Sequence, residues 1–180
     1  MPKSPRAELD RTVTRSFRIS ERALKSIEDE AKRQNISVST VINQQLVAYA
    51  EFDRYFKRLG MIKISSATFS RLLLEGSDSE VSKAGDEAGS DTPKSIILAK
   101  YGELSLTTAI AFLRMLSEYA NQYELSEVEQ PGRLVLTLLH NLGPKGSVFF
   151  SSYARSLLAS IDRDPKFSST AHSVVIEIPL

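Results

Sequence analysis

Thr14, Ser16 and Arg18 stand two residues apart, a spacing that puts three hydrogen-bonding side chains on one side of an extended chain. A guanidinium can grip a guanine edge with two hydrogen bonds, and serine or threonine hydroxyls serve either base type. Val13, Phe17 and Ile19 fall on the opposite, apolar side, where Arg15 is the exception. A second set is Ser37-Val38-Ser39, where a helix is expected to open. Free amides at such a start, with the helix dipole behind them, suit a phosphate oxygen. A third set, His140, Lys145 and Ser147, brackets a turn between a strand-like and a helical run. It offers an anion or small-ligand site, or else a plain Gly/Pro turn that starts a helix. It is not a Walker A loop, because the Gly-Lys-Ser/Thr ending and its spacing are missing.

Other chemistries are poorly supplied. There is no cysteine, hence no disulfide framework, thiolate metal site or cysteine nucleophile. Two histidines, His140 and His172, are too few for a dense nickel or zinc site, so no metal and no cofactor is expected. Glu124, Glu127 and Glu129 fall in an expected edge strand, with Glu127 and Glu129 on one solvated face rather than converging as an acid–base pair. No Gly-x-Ser-x-Gly elbow appears. No catalytic set is assembled, and an enzyme is not expected. No apolar run reaches membrane-spanning length and the first ten residues are polar, so a cytoplasmic protein without a membrane partner is the expectation.

The elements that must position these residues follow from periodicity. Residues 1–11, with Pro2 and Pro5, read as a flexible arm. Residues 12–19 alternate as a strand. Ser20 caps a helix carrying Leu24, Ile27 and Ala31, which Asn35 stops; Ser37 caps a second with Val38, Val41, Ile42, Leu46 and Tyr49. That helix keeps its period through Phe52, Tyr55, Phe56 and Leu59 until Gly60, the expected domain boundary. Charge divides at the same place, net +4 over residues 1–60 and −3 over 61–180, a basic first third suited to a polyanion.

Beyond Gly60, residues 61–65 (MIKIS) read as a strand and the next stretch as a helix around Phe69, Leu72 and Leu73. Residues 77–91 read as a surface helix or a loop, and Pro93 as the start of another short helix. Ser105 caps a helix with Ile110, Leu113 and Leu116 inward. Two strand-like runs around Pro131-Gly132 form a hairpin, followed by a helix through Phe149, Tyr153 and Leu157 and a final strand, HSVVIEIPL. The order over 61–180, with the helical insertion collapsed, is βαββαβ, the ferredoxin-like sandwich order. The fold class expected is therefore α+β.

Residues 12–50, through SFRIS, ERALKSIEDEAKRQN and ISVSTVINQQLVAY, resemble the ribbon-helix-helix DNA-binding regulators. The resemblance covers about forty residues, the strand, capped helix, short turn and second Ser-capped helix in order. It implies a homodimer in which two copies of the strand pair antiparallel, four helices cover one face, and the ribbon enters the major groove of double-stranded DNA. Thr14, Ser16 and Arg18 would then touch bases, Ser37, Val38 and Ser39 phosphate, and Arg11 and Arg15 the rim as accessory contacts. Arg15 and Val38 depart from the family's usual apolar and polar choices at those places. The remainder resembles C-terminal domains that follow such modules in prokaryotic regulators, a nickel-responsive one among them, by architecture alone. The function implied is a sequence-specific transcriptional regulator, typically a repressor, with residues 61–180 for assembly into a dimer of dimers or for sensing a small-molecule effector or protein partner. The alternative is the antitoxin of a toxin–antitoxin pair, with a DNA-binding N-terminus and a toxin-binding C-terminus.

Overall fold

The computed structural model describes residues 13–59, 61–159, 161 and 164–180. The expected arm over 1–11, with Arg11, and the boundary glycine Gly60 lie outside these residues. The chain is α+β, and it divides into two compact units between Val47 and Ala48.

In the first unit, α1 (Glu21–Gln34) starts where Ser20 accepts a hydrogen bond from the Ala23 amide at 3.3 Å. It stops at Asn35, whose φ of 54° reverses the chain so that the Ile36 amide reaches the Ala31 carbonyl at 3.0 Å. Helix α2 (Val38–Ala48) follows at once, with the Ser37 hydroxyl accepting from the Thr40 amide at 3.0 Å. Residues 13–20 belong to no helix and to no strand within the chain, and all eight are exposed.

The second unit opens with a π-helical turn, Tyr49–Asp53, continued by α3 (Arg54–Phe56) and a 3₁₀ turn, Lys57–Leu59. The sequence placed these residues with the first domain because their period matches α2. In the structure Phe52 and Phe56, stacked at 4.0 Å, are buried in the core of the second unit. Lys100 holds the turn from α5 (Asp78–Tyr101): its ammonium donates to the Glu51 carbonyl at 2.9 Å and to the Glu51 carboxylate, between the rings of Tyr55 and Tyr101.

No strand forms over 61–65. These residues are exposed and carry no ladder partner, and α4 (Ser66–Leu74) begins directly after them with Ser65 as its cap. Residues 77–91 belong to α5, which Ser77 and Glu80 open with a reciprocal capping box. Pro93 lies inside that helix instead of starting one. Gly85 and Gly89 let α5 meet α7 (Gly143–Leu158) backbone to backbone. Helix α6 (Leu106–Ala120) supplies Phe112, Leu113 and Leu116 to the core.

The sheet is antiparallel throughout, in the order β1-β2-β4-β3. Its strands are β1 (Glu124–Gln130), β2 (Arg133–Leu139), β3 (Lys166–Ser169) and β4 (Ser173–Pro179), so α7 joins two hairpins. The second unit is thus helical first and then ββαββ, which overturns the expected ferredoxin-like βαββαβ order. The strand at 61–65 is missing from the sheet, and the four-residue polar strand β3 takes the opposite edge. Leu136, Leu138, Val174, Ile176 and Ile178 line the buried face of the sheet.

Candidate nucleic-acid interface

Thr14, Ser16 and Arg18 are all exposed, as is Arg15. Neither arginine has an ion-pair partner among the described residues, so both guanidinium groups face solvent. The apolar side of the same segment is also open: Val13 is 70% exposed, Phe17 62% and Ile19 39%. Leu46 and Val47 at the end of α2 add 58% and 40%. Over residues 13–47 only Ala31 and Val41 are buried. Two small-to-medium side chains are far too little core to offset the ordering of some thirty-five residues, since each residue fixed costs roughly 1–2 kcal/mol of conformational entropy.

The α1–α2 turn forms an open depression lined by Glu28, Ala31, Lys32, Asn35, Ile36, Ser37 and Val38. Ser37 and Ser39 are exposed and Val38 is half-buried. Because Ser37 Oγ accepts from Thr40, the amides of Val38 and Ser39 are left as first-turn donors, and Lys32 lines the same depression. Lys32 was not singled out in the sequence, although a lysine in the last turn beside the helix stop Asn35 was a usable signal. Elsewhere on α1, Gln34 and Arg33 hydrogen-bond Glu30 and hold its carboxyl below the usual range. That contact offsets one acidic charge on the helix.

Of the third set only His140 lines an open pocket, beside Tyr123, Glu124 and Asn141; Lys145 and Ser147 do not. His140 is buried, with its Nδ1 accepting from the Leu142 amide at 3.3 Å. Nε2 therefore carries the proton and donates to Ser147 Oγ at 3.0 Å, and Ser147 donates onward to the Thr170 carbonyl at 2.6 Å. Burial, and then the nearby His172, push the imidazole below its ordinary pKa, so it is neutral at pH 7. Lys145 points to another partner, Asp78 of α5, at 2.5 Å. These contacts tie the end of β2 to α7 and to the turn between β3 and β4, aided by the His140 amide on the His172 carbonyl at 2.9 Å, an arrangement that suits the plain-turn alternative. Gly146 leaves room for the His140 ring, since a Cβ there would lie 3.0 Å from its Cε1.

Glu127 is bound by Arg114 of α6 through two hydrogen bonds of 2.8 Å. It is thus neither free nor paired with Glu129. No group of three or more His, Asp or Glu able to hold a metal ion occurs among the described residues. No helix there is long and apolar enough to cross a membrane. Comparison with protein-family models, with curated proteins and with solved structures gives no match.

Proposed function

We propose that the chain is a homodimeric, sequence-specific DNA-binding transcriptional regulator of ribbon-helix-helix type. One observation carries the reading. Residues 21–47 form a helix pair with almost no core of their own, preceded by a segment whose apolar side (Val13, Phe17, Ile19) and polar side (Thr14, Ser16, Arg18) are both exposed. A second copy of the segment, paired antiparallel, supplies the missing half of the core. Each large apolar side chain so covered contributes roughly 1.5–3 kcal/mol. The opposite face of the two-stranded ribbon then presents Thr14, Ser16 and Arg18 from both copies, and such a ribbon fits the major groove. Ser37, Val38 and Ser39 grip phosphate at the start of α2, and Arg11 and Arg15 are rim contacts.

Residues 48–180 serve assembly or sensing of an effector or protein partner. The antitoxin alternative calls for a short toxin-binding tail. A folded unit built around Phe112, Phe150, Leu136 and Ile176 favours the regulator.

Selection of bound duplexes from a random pool, followed by footprinting, tests the proposal. The expected outcome is a recurring, two-fold related site with protection in the major groove, and affinity that falls steeply with salt. Recovery of no enriched sequence by a chain shown to be dimeric would refute it.

A further inference from the structure

A second self-interaction surface is written into the other unit. Residues 61–64, Met-Ile-Lys-Ile, run exposed between the 3₁₀ turn and α4, with Ile62 79%, Met61 48% and Ile64 47% exposed. They alternate, so Ile62 and Ile64 take one side and Lys63 the other. Lys63 stands well out, its side chain 86% exposed, with one loose ion pair to Asp53 at 3.5 Å. Arg58 and Lys57 precede it and are exposed too.

The sheet has a free edge of opposite character. β1 pairs with β2 alone among the described residues, which leaves one side of its backbone without a ladder. It carries Glu124, Glu127 and Glu129 and no cation. Its register sets Val128 opposite Val135 on the open face, 49% exposed, while Glu127 and Glu129 flank it on the other face. The far edge, β3, is four residues long and carries Lys166 and no acid, so a basic segment is repelled there.

We propose that β1 of one copy takes residues 61–64 of a second copy as a fifth strand. The period-two patterns match: Lys63 comes beside Glu129, which has no ion-pair partner among the described residues, on the face where Arg114 already holds Glu127, and Ile62 and Ile64 come beside Val128. Backbone hydrogen bonds along the free edge hold the added strand, and the alternating charges and isoleucines set its register. Acidic side chains on an edge strand ordinarily discourage such pairing. Here they select a basic partner over another copy of β1. The inference does not depend on DNA binding.

The test uses the full chain. Unlabelled and ¹⁵N-labelled protein are unfolded together in urea, refolded as a mixture and treated with a zero-length amine-to-carboxyl coupling reagent; linked peptides are then read by mass spectrometry. Mixed-isotope links from Lys63 to Glu129 or Glu127 are expected, and they should vanish in the variant Ile62→Asp/Ile64→Asp. Both isoleucines are exposed, and a parent-like helical signal and urea midpoint for that variant provide the check that the second unit is folded. Links confined to one isotope, absent links, or mixed links that survive the double substitution would overturn the proposal. A Phe17→Asp variant separates the two readings: it removes DNA binding and N-terminal pairing but leaves the Lys63 links.

Discussion

Substituting Gly89 by alanine places the intrinsic preference of a helix in direct conflict with its packing. On propensity alone the change is favourable, because alanine in a helix interior is worth about 1 kcal/mol over glycine. The structure argues the other way. A Cβ on Gly89 would lie 2.8 Å from the carbonyl carbon of Tyr153 and 2.9 Å from its Cα, and nearer still to the carbonyl oxygen. Comfortable carbon–carbon contact needs about 3.5–4.0 Å, so α5 and α7 would have to part by roughly 1 Å along their seam. The obstructing atoms are backbone, which cannot rotate aside. Overpacking of this kind costs typically 1–3 kcal/mol and here belongs at the upper end. Subtracting the propensity gain leaves a net loss of about 2 kcal/mol, or roughly 4–8 °C in Tm for a protein of this size.

Thermal and urea unfolding of Gly89→Ala measure the loss, with Gly76→Ala as the comparison. Gly76 precedes α5, and a Cβ there would meet Val81 Cγ2 at an ordinary 3.4 Å, so little change is expected. Gly85→Ala should resemble Gly89→Ala, since its Cβ would fall 3.1 Å from the Phe149 carbonyl carbon and from Ser152 Cβ. The two share one seam, and the double variant should lose less than the sum of the singles once the helices have separated. A Gly89→Ala protein as stable as the parent, or more so, would refute the backbone-to-backbone account.

Arg18→Ala should weaken specific DNA binding by about 1–3 kcal/mol and relax selection at one base position, measured by competition with substituted sites; unaltered preference would remove Arg18 from base contact. Phe17→Ser should convert the N-terminal module to an unpaired, poorly folded state, seen as loss of dimer in sedimentation and loss of helical signal; a well-ordered monomeric module would contradict the proposed pairing. Stability should decline as pH falls from 8 to 5. The unfolded chain protonates His140 near its ordinary value of about 6.5, whereas the buried ring in the native protein resists protonation to lower pH. Urea midpoints for the parent and His140→Gln should therefore converge as the pH drops, and parallel curves would exclude His140 as the source.

What was legible in the sequence is what local patterns determine. Ser20, Ser37 and Ser105 each accept a hydrogen bond from an amide three residues on, and Asn35 closes its helix with a positive φ, as the sequence indicated; Ser65 and Ser77 cap in the same way but were not read as caps. Such caps are set by neighbours within one turn, so type and spacing suffice to find them. The hairpin β1–β2 was found for the same reason, through Pro131-Gly132. Harder segments depend on what lies across from them. Residues 77–91 read equally as a surface helix or a loop, because serine, glycine and aspartate are weak helix formers. They are helical because Gly85 and Gly89 give α7 a surface it can approach closely. Residues 49–59 share the period of α2, yet the burial of Phe52 and Phe56 and the grip of Lys100 on Glu51 assign them to the second unit.

His140, Lys145 and Ser147 show the same limit at a candidate site. Their types allow ligand binding, but Asp78 draws Lys145 away and the Thr170 carbonyl occupies Ser147. Neither partner is near in sequence, so spacing along the chain could not reveal that the donors were already engaged. Thr14, Ser16 and Arg18 differ because their neighbours, Val13, Phe17 and Ile19, are apolar and yet uncovered. Among the described residues, this alternating segment has both faces exposed, which is what supports the proposal that a second copy covers it. That is the physical ground for reading residues 13–19 as half of a ribbon, and it would fail if the intact protein were monomeric at concentrations where it binds DNA.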